Sequence, residues 1–299
     1  MKILILNSGS STIKFKLFEK NEKGFCELKK GLLENIKNHE DGLKIMNAEL
    51  IKSGHIKNIN ELKHVGHRVV HGGETGCSFQ KINAKIIQTI KKLASLAPLH
   101  NPANLKGILA CQKMFPRAIQ WAFFDTAFHQ TLPEKAYRYA VPENWYTKYG
   151  IRKYGFHGTS HEFVAKKAIQ YLRGKKLPYK KLISCHIGNG VSITAIHNGK
   201  SIDTSMGFTP LEGVPMGTRS GSIDPAVPLI MQRLLQSTSQ NIENILNTKS
   251  GLFALSELES DMRVIYKISQ GKKFFSKKKN FKKISSKNEI IKKAKKTIE

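Results

Sequence analysis

Residues 2–18 read KILILNSGSSTIKFKLF. An apolar run, a turn of small polar residues and an alternating segment follow one another without a spacer. The run Lys2–Leu6 predicts a buried strand. The alternation from Thr12 to Phe18 predicts a half-buried strand, because successive strand side chains point to opposite faces. Residues 181–196, KLISCHIGNGVSITAI, repeat the same order of run, small-residue turn and alternation. A strand–turn–strand unit that occurs twice points to two domains of similar design.

Helical patterns lie between and after the repeats. NAKIIQTIKKLASLAPLH (83–100) places Ile86, Ile87, Ile90, Leu93 and Ala97 near a 3.6-residue period, and Pro98 stops or bends it. NPANLKGILACQKMF (101–115) predicts a helix capped by Asn101 with Pro102 at its first position. AIQWAFFD (118–125) reads as a strand ending at Asp125. DPAVPLIMQRLLQS (224–237) reads as a helix capped by Asp224, with Pro225 at N1. Strands alternating with helices imply an α/β fold.

Composition narrows the class. The 299 residues are 40% hydrophobic and 24% charged, which suits a soluble globular chain of one large or two ordinary domains. No apolar run approaches the ~20 residues a membrane helix needs. The apolar start of MKILILNSGS is too short for a signal peptide and ends at Asn7. Cys26, Cys77, Cys111 and Cys185 are scattered without a CxxC pair, which implies free thiols and a cytoplasmic setting. The net charge is +28, and from Val264 onward 13 Lys face only Glu289 and Glu299. A basic body suits an anionic ligand such as a nucleotide, or nonspecific RNA contact; a lysine-biased gene explains it equally well.

Generic nucleotide and zinc motifs fail. A P-loop needs Gly where Thr194 stands, and a dinucleotide fingerprint at Gly188 and Gly190 needs Gly where Ile193 stands. His157 and His161 are four apart, without the glutamate of a zinc peptidase. What remains is a set of polar clusters in predicted turns. NSGSSTIK (7–14) is small enough for main-chain N–H groups to approach an anion. HRVVHGGE (67–74) puts Arg68 before a glycine turn, and FFDTAFH (123–129) puts Asp125 at a strand end, where α/β folds hold ligands. YGFHGTSH (154–161), HIGNG (186–190) and MGTRSGSIDP (216–225) add His157, a second small turn and Arg219. Singly, each has a structural explanation as a turn, cap or salt bridge. Together, two arginines, a histidine, an aspartate and two anion-cradling turns suggest phosphoryl transfer.

These segments, with FDTAFHQTLP (124–133), DTSMGFTPLEG (203–213) and SELESDMR (256–263), resemble in order the signature segments of the acetate kinases. The resemblance runs from Met1 to about Arg263. It implies the fold of the acetate and sugar kinase/actin superfamily, two duplicated ribonuclease-H-like domains with ATP in the cleft between them. On that reading residues 1–129 form the first domain and 130–270 the second, which would be incomplete. The family continues beyond SDMR with a GIGEN loop and a metal-holding glutamate near its end, and neither has a counterpart here. Residues 271–299 are then expected to be disordered or out-of-frame translation, since lysine codons in an AT-rich gene are adenine runs.

The resemblance implies a phosphotransferase with a carboxyl acceptor, making acetyl phosphate and ADP from acetate and ATP reversibly. Mg²⁺, with Mn²⁺ as the alternative, would assist. It assigns Asn7 to the metal and Lys14 to the nucleotide. Asp125 would be the catalytic acid, Arg68 would bind the acetate carboxylate or the phosphoryl group, and His157 and Arg219 would flank the phosphoryl in flight. His186, Ile187, Gly188, Asn189 and Gly190 would form a second phosphate loop, with Asp261, Met262 and Arg263 on the nucleotide. Val70, Leu99, Phe156 and Pro210 would enclose the acetate methyl. Valine at 70 leans towards acetate over propionate, by the ~1–3 kcal/mol that one methylene is worth. A homodimer without membrane or nucleic-acid partners is implied. The alternatives are a non-catalytic kinase remnant, a propionate or short-chain fatty-acid kinase, and a basic nucleic-acid-binding protein whose tail stacks Phe274, Phe275 and Phe281 on bases.

Overall fold

The computed structural model describes residues 1–74, 78–97, 100–271 and 287–298. The chain divides into two compact units, Met1–Thr131 with Phe156–Phe163, and Leu132–Gly155 with Val164–Glu299. Among the described residues no helix is long and apolar enough to cross a membrane.

The first unit is built on a six-stranded sheet in the order β3-β2-β1-β4-β6-β5. Its strands are β1 (Lys2–Ser8), β2 (Thr12–Asn21), β3 (Gly24–Glu34), β4 (Leu62–Val69), β5 (Phe79–Lys81) and β6 (Ile119–Phe124). β1, β4 and β6 run parallel, and the outer strands are antiparallel to their neighbours. Leu4, Leu6, Ile13, Phe15 and Leu17 point to one face. There they pack on Leu43, Met46 and Leu50 of α1 (His39–Lys52) and on Ala110, Cys111 and Phe115, at the end of α3 (Asn101–Met114). Further along, Val69, Ala122 and Phe124 meet Ile86 and Ile90 of α2 (Ala84–Lys92) and Ile108 of α3. β1 is not buried on both faces as its apolar run predicts: Ile5 is 36% exposed, so the run is one buried face plus one half-open one.

Three parallel strands carry their last residues to the same edge of the sheet. That edge brings Asn7 and Ser8, Arg68 and Val69, and Phe124 and Asp125 to neighbouring positions. The sequence reaches this arrangement because each parallel return passes through a helix whose apolar stripe needs the same sheet face.

In the second unit α4 (Glu134–Tyr137), α5 (Glu143–Tyr149) and most of α6 (Gly158–Gly174) precede a three-stranded antiparallel sheet, β7 (Lys181–Ile187), β8 (Val191–His197) and β9 (Lys200–Thr204). Among the described residues five helices follow: α7 (Ala226–Leu234), α8 (Ser239–Thr248), α9 (Gly251–Ser256), α10 (Met262–Ser269) and α11 (Lys287–Ile298). Asp224 accepts from the Ala226 N–H at 2.8 Å, just ahead of Pro225 at the start of α7. α11 lies in the stretch for which the sequence suggested disorder. Residues 272–286 of that stretch lie outside the described residues, and the twelve residues of α11 form a helix. Ile290 and Ala294, one turn apart, pack with Leu258, Ile265 and Ile268, and Lys293 pairs with Glu257 at 2.7 Å. Spacing of i and i+4 gives even a lysine-rich segment one apolar face.

Candidate active site

Asp125 follows β6, and its N–H donates to the Val69 carbonyl at 3.0 Å, carrying the β4–β6 pairing one step past the strand. Its carboxylate is 1% exposed. Arg68 meets it with a planar fork: Nε donates to both oxygens at 3.1 and 3.0 Å, and Nη2 donates to Oδ2 at 2.6 Å. The Thr159 hydroxyl donates to Oδ1 at 3.3 Å. A buried carboxylate requires such a partner, because an uncompensated charge there costs several kcal/mol. The Asp125 charge in turn raises the Arg68 pKa further above its ordinary value. Nη1 makes no bond to the described residues, and the Arg68 side chain is 37% exposed. The fork therefore presents one edge to its anchor and leaves another open among the described residues.

The stretch around His157 is pinned from both sides. The Gly158 N–H donates to the Asp125 carbonyl at 2.8 Å, and a Cβ at residue 158 would lie 2.3 Å from that oxygen. His129 Nε2–H donates to the Phe156 carbonyl at 3.0 Å, and burial drives the His129 pKa down to about 4, so it is a neutral donor. His157 itself has φ +58°, left-handed backbone that a branched side chain rarely adopts. Its carbonyl accepts from Ser160 and His161 as α6 begins. Strained backbone held this firmly is a mark of functional positions.

Val70 and Phe156 are 8% and 1% exposed, and the Phe156 ring sits edge-on to His71 at 5.8 Å. Leu99 lies outside the described residues. Asn7 and Lys14 are cross-strand partners, and both line a groove of about 470 Å³ on the open sheet face. The turn joining these strands is closed by Gly9 N–H to the Thr12 carbonyl at 2.8 Å. The Ser10 and Ser11 N–H groups make no bond to the described residues, an open pair of the kind that cradles anions. A larger cavity of about 820 Å³ reaches this turn only through Ser10; Lys37, His39 and Lys106 also line it, but Arg68 and Asp125 do not.

No cluster of three His, Cys, Asp or Glu side chains suited to a metal occurs among the described residues. The donors at hand are hard oxygens: the Asn7 amide and the serine hydroxyls of the turn. That set fits Mg²⁺, which is held by few protein oxygens together with substrate phosphates and water, and does not fit a soft-metal cage.

The second unit brings its own candidates together. Gly188 N–H donates to the Gly190 carbonyl at 3.0 Å, closing the β7–β8 hairpin that carries His186, Ile187, Gly188, Asn189 and Gly190. The Asn189 carbonyl accepts from Gly217 N–H at 3.1 Å. The Ser260 carbonyl lies 3.2 Å from where a Gly217 Cβ would be, so the hairpin, the Arg219 loop and the turn before Asp261 meet at Gly217. Arg219 Nη1 donates to the Pro210 carbonyl at 3.3 Å. Asp261 caps α10, accepting from Arg263 N–H at 2.9 Å; the Arg263 guanidinium folds back onto the same carboxylate and holds it below the usual range. Met262 is 42% exposed beside them.

Several positioning residues escape a reading of the sequence. Asn101 does not cap α3; the capping position is His100. Instead the Asn101 amide accepts from His71 N–H and donates to the His71 carbonyl, both at 3.1 Å. Asn104, Thr159 and Gly251 likewise act on partners distant in sequence. For the two asparagines the local signal is an Asn-Pro-x-Asn start, which resembles ordinary capping chemistry.

Known proteins of one family resemble this chain over most of its length. The acetokinase family profile matches residues 26–281. An acetate kinase of Thermotoga maritima is 47% identical over 291 residues, covering 89% of this chain and 71% of that relative. The crystal structure of Porphyromonas gingivalis acetate kinase superposes with a TM-score of 0.80 at 41% identity, covering 90% of this chain and 73% of that one. A propionate kinase from Francisella tularensis superposes equally, with a TM-score of 0.81 at 39% identity and the same coverage. The fold is that of the acetate and sugar kinase/actin superfamily. On sequence and structure alike, the chain belongs to the acetokinase family.

Proposed function

We propose that this chain transfers the γ-phosphoryl group of ATP to acetate, giving acetyl phosphate and ADP, and runs the reverse reaction. One observation carries the reading: a guanidinium fixed by a buried carboxylate, with a donor edge left open. Acetate is ionised at neutral pH, so one of its oxygens attacks the γ-phosphorus without a general base. The new O–P bond forms as the bond to the β-phosphate oxygen breaks, and that oxygen leaves on ADP with the bonding electrons. The transferring group spreads charge over its equatorial oxygens. Arg68, His157 and Arg219 are assigned as donors to those oxygens, aligned in advance and so effective in the transition state. Asp125 orients Arg68 and moves no proton. Lys14, the hairpin His186–Gly190 and the Asp261–Arg263 turn are assigned to the nucleotide. Asn7 would hold Mg²⁺ together with phosphate oxygens, and the ion would supply charge neutralisation to the transferring group when bound.

Val70 and Phe156, with Leu99 and Pro210, are read as the wall around the acceptor methyl. The likeness to a propionate kinase supports a second reading in which propionate is also accepted. The same proposal takes residues 1–129 and 130–270 as two ribonuclease-H-like domains, and the protein as a cytoplasmic homodimer. Its positive charge would then serve anionic substrates and not nucleic acid. The test is to purify the 299-residue chain and trap acetyl phosphate with hydroxylamine in the presence of ATP, acetate and Mg²⁺. Turnover is expected, with kcat/KM for acetate above that for propionate by roughly 10-fold or more. A folded chain that makes no acyl phosphate from either acid would overturn the reading.

A further inference from the structure

Asn104 stands one turn into α3 and is 4% exposed. Its amide bonds to the ends of two different strands. Oδ1 accepts from the Val70 N–H at 3.1 Å, and Nδ2 donates to the Ser8 carbonyl at 2.8 Å. A main-chain N–H only donates and a carbonyl only accepts, so both ends of the amide are assigned without ambiguity. Pairing between β1 and β4 ends at Leu6 and His67. Beyond that point the amide takes the place of the missing rung between the two strand ends. α3 is also drawn against Ser8 one turn further on, where a Cβ at Gly107 would lie 2.3 Å from the Ser8 hydroxyl.

What the amide joins gives it meaning. On one side Ser8 opens the turn whose Ser10 and Ser11 N–H groups make no bond to the described residues. On the other, Val70 is two residues from Arg68, whose fork is locked to Asp125. We propose that Asn104 is a positioning residue that sets the spacing between the anion-binding turn, residues 8–12, and the acceptor-binding end of β4. This rests on the phosphotransfer reading for its kinetic consequence but not for its structural one. In-line transfer fails with small misplacement of the reacting groups, so a shifted turn would lower kcat and not the binding of either substrate.

Asn104→Asp is the discriminating change. The carboxylate still accepts from Val70 N–H, but it sets a second acceptor against the Ser8 carbonyl. Amide exchange at Gly9, bonded within the turn, is expected to rise by about tenfold or more while Val70 changes little. In steady-state kinetics kcat is expected to fall about 10–100-fold, with both KM values within about threefold. Unchanged exchange at Gly9 overturns the proposal, as does raised exchange with kcat intact, or a loss confined to KM. Should Asn104→Asp not fold, Gly107→Ala moves the same turn by contact with Ser8 and must give the same pair of effects. A wild-type chain without turnover would defeat the phosphotransfer reading alone, and exchange at Gly9 would still decide whether Asn104 sets the turn.

Discussion

At the scale of single residues, Arg68 and Asp125 separate two kinds of charge effect. Asp125 is almost fully buried and Arg68 is over a third open, so the pair is asymmetric. Removing Arg68 takes the guanidinium from a carboxylate that is 1% exposed in the folded chain. Arg68→Ala is therefore expected to destabilise the fold by about 3–5 kcal/mol, read as a lower urea midpoint, besides abolishing turnover. Asp125→Asn keeps the volume but puts an amide N–H against a guanidinium N–H. The fork loses its fixed plane, and kcat should fall by roughly 10²–10³-fold. Arg68 stays protonated throughout the accessible pH range, so this loss should not depend on pH between 6 and 9. A pH-dependent loss would instead show Asp125 acting as a proton donor. Arg219→Ala should lower kcat by about 10²-fold or more with KM nearly unchanged, as fits a group that acts in the transition state.

At the scale of elements, the start of α9 holds the Arg219 loop by its main chain. Ser250, Leu252 and Phe253 N–H groups donate to the carbonyls of Thr218, Met216 and Gly217 at 2.9–3.0 Å. Gly251 sits among them at φ +63°, where a Cβ would lie 2.1 Å from the Met216 carbonyl and 2.5 Å from that of Arg219. Neither neighbour is a flexible side-chain tip. Gly251→Ala should lower stability by about 1–3 kcal/mol and kcat by roughly tenfold or more, with helical content in circular dichroism retained. Full activity in that variant would show that the loop tolerates displacement. No sequence pattern reveals this contact, because its partners stand more than thirty residues away. Periodicity does reveal β2, β8 and the stripe of α2, whose burial follows the local pattern; the apolar runs of β1 and β7 mark strands but not their burial, since Ile5, Ile183 and Ile187 are exposed. It fails for β3, GFCELKKGLLE, an edge strand with charges on both faces whose place is set by pairing with β2. Asn101 and Asn104 were legible as residues but not as roles, since an amide that grips a strand end reads in sequence like a cap.

At the scale of the molecule, the first unit has built acid sensitivity into its packing. His67, His71 and His129 are all buried, and burial lowers the pKa of each from 6.5 to about 4. Their bonds fit the neutral ring. His67 Nε2–H donates to Gln120 at 2.6 Å, His71 Nδ1 accepts from Gly73 N–H at 3.0 Å, and His129 donates to Phe156. The unfolded chain binds these protons near pH 6.5 and the folded one only near 4, so the unfolded state carries more protons between those values. Stability is then fully present above about pH 6.5, declines as pH falls through the window and levels off below 4. Each histidine contributes about 3 kcal/mol at most, from 1.36 kcal/mol per pKa unit. Unfolding free energies from urea titrations should fall between pH 7.5 and 5, with a slope approaching three protons near pH 5, and His67→Gln, which keeps a donor to Gln120, should remove one. His71 follows Val70, and His129 donates to the residue before His157, so protonation is expected to weaken contacts beside the candidate site. Loss of activity in acid should accordingly be reversible and follow the unfolding curve. An inactivation midpoint well above the onset of unfolding would place the sensitive group among the residues that touch substrate instead.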